Sequence, residues 1–180
     1  MSGTRSPSPP EPATRAGKGA LLIAAHGDCG GDGGNVLANE LARRIRMSNQ
    51  YDEVAVGYMR CEPSIESAAA RIASDHIRLY PLFMSDGYYV RDAIPQRLGL
   101  RDGIDPLGHT IAIDPPLGLH PELPNLLMSA AARAALGAGV QPLSATLLLV
   151  AHGSSKSPHS ADVARQIAES MTDKSVFARV

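Results

Sequence analysis

Two histidines occupy nearly identical settings in this chain. His26 closes the apolar run Ala20-Leu-Leu-Ile-Ala-Ala25 and precedes Gly27; His152 closes Thr146-Leu-Leu-Leu-Val-Ala151 and precedes Gly153. An imidazole is a good ligand for borderline divalent metals and a general base near neutral pH. Further reactive groups follow at intervals. Cys29 lies in the glycine-rich stretch Asp28–Gly34, Cys61 and Glu62 come after a second apolar segment, Asp86, Tyr88 and Tyr89 after a third, and His120 after a fourth. Imidazole, carboxylate, thiol and phenol gathered in one place would bind a metal ion and move protons.

Each of these residues also has a plainer reading. A histidine at the end of a strand can be a capped structural residue, although packing gives no reason to keep one at both His26 and His152. Free cysteines are commonly small buried hydrophobes, the reading given to Cys29 and Cys61. His120 precedes Pro121 and can cap a helix; His76 and His109 read as structural or solvated, and His159 has no evident partner. The glycine-rich stretch after His26 could cradle a phosphate at a helix start, a third and weaker functional reading. No Lys-Ser/Thr pair closes it, so it is neither a Walker A loop nor a dinucleotide fingerprint.

The elements that must position these groups follow from periodicity. Residues 20–25 form a short run without polar residues, bounded by glycines, which reads as a strand buried on both faces. Strands are also expected near 53–58, 77–83 and 110–113. Helices are expected over 35–47, from Pro63 to 73, over 90–98 and from 120 to 136. Pro81 inside the third strand weakens its assignment or puts it near an edge. Strands alternating with helices give an α/β fold, a four-stranded parallel sheet with helices on both faces. In such sheets ligands bind outside the carboxyl ends of the strands, where His26, Glu62, Tyr89 and His120 would all emerge.

The second Ala-His-Gly marks an internal repeat. Ala38, Leu41 and Ala42 have counterparts in Ala164, Ile167 and Ala168 at the same offset that separates the two histidines. The expected organisation is a disordered tail over 1–18, a first half over 19–140 and the start of a similar second half over 141–180, which stops inside an expected strand and reads as truncated. A helix from Ser160 or Ala161 to Met171 and a strand from Ser175 belong to it. Its apolar run Leu147–Val150 should add to the first sheet, exchange between two chains to give a homodimer, or stay poorly ordered.

Composition narrows the function. Hydrophobic residues make up 44% of the chain and the net charge is −1, which speaks against disorder and against nucleic-acid binding. Tryptophan is absent, which removes one stacking platform for single strands. Two cysteines cannot build a multi-disulfide framework, so a reduced, cytoplasmic setting is the simplest reading. No apolar run approaches the ~20 residues of a membrane span, and Met1–Gly19 lacks the apolar core of a secretory signal.

Several separated motifs occur together: Ala25-His26-Gly27, Glu62-Pro63-Ser64-Ile65, Pro81-Leu82-Phe83, Gly87-Tyr-Tyr-Val-Arg91, Ile94-Pro95, Pro116-Leu117-Gly118 and His120-Pro121. In this order the chain resembles the class II tetrapyrrole chelatases, most closely the sirohydrochlorin cobaltochelatase (CbiX) family and its sirohydrochlorin ferrochelatase sisters. The resemblance covers residues 20–136 and the start of the second half. It implies ATP-independent insertion of a divalent metal into a reduced, carboxylate-bearing tetrapyrrole, in cobalamin or siroheme synthesis. The metal is a substrate, Co²⁺ first, with Fe²⁺ or Ni²⁺ as alternatives. By the same resemblance His26 is a metal ligand and catalytic residue, Glu62 takes a proton or holds the metal's outer shell, and Arg91 pairs with a substrate carboxylate. One position departs: Tyr89, counted with His26 and Glu62 among the catalytic residues, stands where the family usually has a second histidine. His120 at the substrate, or His152 as a second metal ligand, would have to compensate. That departure keeps open a non-catalytic metal or tetrapyrrole binding protein as the alternative.

Overall fold

The computed structural model describes residues 18–30, 33–151, 159–172 and 175–180. The expected tail before Lys18 and His152 lie outside the described residues. A parallel sheet of order β2-β1-β3-β4 forms the centre, with β1 at Ala20–Ala25, β2 at Glu53–Tyr58, β3 at His76–Pro81 and β4 at Thr110–Ile113. β1 is buried along its whole length. Its alternate side chains serve two cores. Leu22 and Ala24 pack with Ile65, Ala68, Leu79 and Ile94 on one face, while Leu21, Ile23 and Ala25 pack with Ala38 and Ala42 of helix α1 (Gly33–Ser48) on the other. A strand with helices on both faces has no wet side, which is why its sequence shows no alternation.

Four strands lie within two residues of their expected positions, and the four-stranded parallel sheet is the one expected. The placement of Pro81 needs correction: β3 is an interior strand, between β1 and β4. The Leu82 N–H donates to Ala24 C=O (2.8 Å), so residue 81 faces the β4 side, where pairing has already ended at Leu79 and Ile113. The missing proline N–H therefore costs no ladder bond. Helix α2 (Ile65–Ala69) is shorter than expected at both ends; its start is set by Ser64, which caps it by accepting the Ser67 N–H (3.2 Å). A five-residue π-turn, Tyr89–Ala93, leads directly into α3 (Ile94–Arg97). Arg97 ties α3 to α2 through Glu66 and reaches the Met59 carbonyl.

Helix α4 (Leu123–Gly137) and helix α5 (His159–Thr172) pack on each other around a third apolar cluster of Leu123, Met128, Val163, Ile167, Met171 and Phe177. The repeat extends to backbone pairing. Thr146 bridges Arg179 in parallel, at the positions equivalent to Ala20 and Glu53. The Ala178 N–H donates to Ala145 C=O (3.0 Å) as the Asp52 N–H donates to Gly19 C=O (3.0 Å).

The second half nonetheless departs from expectation. Residues 146–150 do not join the first sheet, and they make this single bridge rather than a strand ladder, as do the residues from Ser175 onward. In the first half β1 has neighbours on both edges and helices on both faces. Here one edge and one face are partnered: Leu147 and Leu149 turn towards the third cluster, while Leu148 and Val150 are each 79% exposed.

Candidate active site

The chain turns sharply after His26. Gly27 has φ +82°, and a Cβ there would lie 2.9 Å from Tyr58 Cβ and 3.2 Å from Cys61 Sγ. Only glycine fits so close to the exit of β2 in this backbone region. Next door the Met59 and Arg60 N–H groups donate to the Ala25 and His26 carbonyls (2.9 and 3.0 Å). The two strand exits are thus bound together, and His26 is presented at the carboxyl rim with its side chain exposed.

The His26 ring faces the exit of β3. Tyr89 meets it edge-on, with centroids 5.1 Å apart and planes at 87°, and Phe83 does likewise at 6.5 Å. Phe83 and Tyr89 stack on each other at 5.5 Å with planes 16° apart, giving a flat aromatic wall beside the imidazole. Partial burial and then the Arg60 charge push the His26 pKa below its ordinary 6.5. A neutral ring at neutral pH keeps a nitrogen lone pair available for a metal or a proton.

The remaining expected residues make other contacts. Glu62 Oε2 accepts the Ser64 N–H (2.9 Å) and the Ser67 hydroxyl (3.2 Å) at the start of α2. His120 Nδ1 accepts the Glu122 N–H (3.2 Å) in a local turn just before α4, so its ring caps none of the N–H groups of the helix itself. Gly118 pins that loop to the rim: its N–H donates to Phe83 C=O (3.0 Å), and a Cβ on it would lie 1.8 Å from the Met84 oxygen. Arg91 donates twice to Asp86 Oδ2 (2.9 and 2.7 Å). Of the expected set the structure therefore brings His26 and Tyr89 into contact. Glu62, Arg91 and His120 lie in segments that follow the strands' carboxyl ends, and among the described residues no hydrogen bond links them to His26. No group of three metal-binding side chains is assembled among the described residues. His109, expected to be structural, pairs through Nδ1 with the buried Asp105 (2.9 Å), away from the rim.

One reading is overturned. Cys29 and Cys61 are not separate buried hydrophobes: they form a disulfide, with Cα atoms 5.6 Å apart, and Cys29 is exposed. The reduced setting inferred from them loses that support. Adjacent parallel strands release their loops side by side, so two cysteines shortly after β1 and β2 were a signal that the pair could meet. The aromatic wall was also missed as a feature of the site, although Phe83 follows its strand by only two residues.

The CbiX family profile matches residues 20–134. The chain belongs to the CbiX family. A Halobacterium salinarum relative described as a probable sirohydrochlorin cobaltochelatase is 27% identical over 89% of this chain, which spans 61% of that relative's length. Among solved structures, a CbiX described as the terminal enzyme of siroheme biosynthesis in denitrifying bacteria is 30% identical. It has a TM-score of 0.67 over 89% of this chain and 67% of its own. A multidomain Deinococcus radiodurans protein with structural similarity to chelatases is 25% identical at a TM-score of 0.72, covering 91% of this chain and 38% of its own. The two solved structures share the fold of the sheet and helices described above. Among the described residues no helix of this CbiX chain is long and apolar enough to cross a membrane.

Proposed function

We propose that this CbiX chain inserts a divalent metal, Co²⁺ first and Fe²⁺ or Ni²⁺ as alternatives, into a sirohydrochlorin-type tetrapyrrole without nucleotide. The observation that carries the reading is the exposed His26 imidazole set beside the Phe83–Tyr89 wall at the carboxyl rim. A flat conjugated macrocycle can lie against stacked rings, which places its central nitrogens within reach of an imidazole. Insertion exchanges two pyrrole N–H protons for one M²⁺. His26 holds the incoming ion as a neutral ligand and accepts a proton once the ion has moved on. Glu62 takes the other proton through the carboxylate oxygen that its capping contacts leave open. Arg91 and His120 border the substrate, and His152 is the second metal ligand of this reading.

Tyr89 favours a second reading, a non-catalytic metal or tetrapyrrole carrier, because a phenol is a poor ligand and base at neutral pH. Anaerobic incubation with sirohydrochlorin and Co²⁺, Fe²⁺ or Ni²⁺, followed by absorbance, separates the two. Catalytic conversion of the free-base spectrum to that of the metallated ring supports the chelatase. Stoichiometric binding without conversion supports the carrier.

A further inference from the structure

A reduced tetrapyrrole that carries carboxylates needs cations at the rim as well as a metal ligand. The cations there are not equally available. Arg91 spends both Nε and Nη2 on Asp86, and Arg97 is held by Glu66 and the Met59 carbonyl. To receive a substrate carboxylate, either would first have to break a doubly hydrogen-bonded ion pair.

Arg60 differs. Its side chain is exposed and, among the described residues, no carboxylate pairs with it. Its backbone is fixed on three sides. The preceding Met59 N–H donates to Ala25, its own N–H to His26, and the following Cys61 is bonded to Cys29. A guanidinium with a free tip and a fixed root is suited to orient a planar anion, since little backbone freedom is lost on binding. Its backbone N–H lies 3.0 Å from the His26 carbonyl, so the two residues leave their strands at one point of the rim.

We infer that Arg60 is a substrate-binding residue, holding a peripheral carboxylate of the tetrapyrrole while the ring lies at His26. The inference rests on the chelatase or carrier reading above. It adds a specificity element to it: the site should prefer the free acid of the macrocycle to its methyl ester, which keeps the ring and loses the charges.

The test is absorbance titration of metal-free sirohydrochlorin, and separately of its methyl ester, into the full chain and its Arg60→Gln, Arg60→Lys and Arg91→Gln variants. Circular dichroism confirms that each variant is folded. The expected result is a dissociation constant for the free acid raised about tenfold or more in Arg60→Gln, as for loss of a charge-assisted pair. Arg60→Lys should recover part of the loss, Arg91→Gln should lose less, and ester binding should not change between wild type and Arg60→Gln. Free-acid binding unaltered in Arg60→Gln, or acid and ester weakened equally, overturns the role of Arg60 and leaves the functional reading in place. Failure of the wild type to bind either form overturns both.

Discussion

The imidazole of His26 stands perpendicular to the ring of Tyr89 at 5.1 Å, the phenol occupying the place where the resemblance to the chelatases leads one to look for a second histidine. The contact supports the His26 ring from one side and contributes apolar and edge-to-face packing rather than coordination.

It follows that Tyr89→His should raise Co²⁺ affinity, by about tenfold for one added imidazole ligand. Tyr89→Phe should leave affinity and insertion near the wild-type level, because the ring contact is kept. Calorimetric titration of Co²⁺ into the three proteins checks this, and a large loss in Tyr89→Phe would assign the hydroxyl a direct part.

His26→Ala should lower insertion by about a hundredfold or more, the usual scale for a lost acid–base group. Its effect on unfolding should stay at about 0.5–1.5 kcal/mol, the worth of the aromatic contact. In the wild type, protonation competes with the metal. The His26 pKa lies below 6.5, so Co²⁺ affinity should be flat above that value and fall as the solution is acidified beneath it. Affinity in His26→Ala should lack this component, as titrations across pH would show.

The Cys29–Cys61 bond closes a loop with a sequence separation of 32. Reduction by a dithiol, or the Cys29→Ser Cys61→Ser double variant, should lower unfolding free energy by about 2–4 kcal/mol. Urea midpoints with and without reductant measure the change. Thiol counting on unreduced, denatured protein should find none free; two would mean that the bond does not form.

Asp105 is 7% exposed and accepts the Leu107 and His109 N–H groups and the His109 ring. Burial alone would raise its pKa, but these donors outweigh burial and hold it below 3.8. A carboxyl depressed in the folded state stabilises the protein above its unfolded pKa, and the contribution is lost as pH falls through the folded value. Asp105→Ala should cost about 1–3 kcal/mol at pH 7 by leaving the Leu107 and His109 donors without their acceptor. The difference from wild type should shrink below pH 3.8, which denaturation at several pH values would reveal.

Much of this molecule was legible before its structure. The run Ala20–Ala25 has no polar residue because both of its faces are dry, so length and flanking glycines sufficed to mark it as a buried strand. His26 could be placed because a strand's carboxyl end is fixed by chain direction alone. Contacts between loops were harder to read. Whether Glu62 faces a substrate or caps α2 depends on where Ser64 and Ser67 turn, and whether Cys29 meets Cys61 depends on which strands are neighbours. Pro81 misled because a proline's tolerance in a sheet depends on which way its nitrogen points, a property of register rather than composition.

Leu148 and Val150 are the repeat's counterparts of Leu22 and Ala24, yet each is 79% exposed where the first-half residues are 0% exposed. In colloidal terms this is a short-range attractive patch on a particle whose net charge of −1 provides almost no long-range repulsion. The osmotic second virial coefficient should therefore be negative near neutral pH and become more negative as ammonium sulfate is added. A Leu148→Lys Val150→Glu variant, which leaves the net charge unchanged, should shift it upward in static light scattering. A coefficient unaffected by that double change would mean that the patch is already covered in solution.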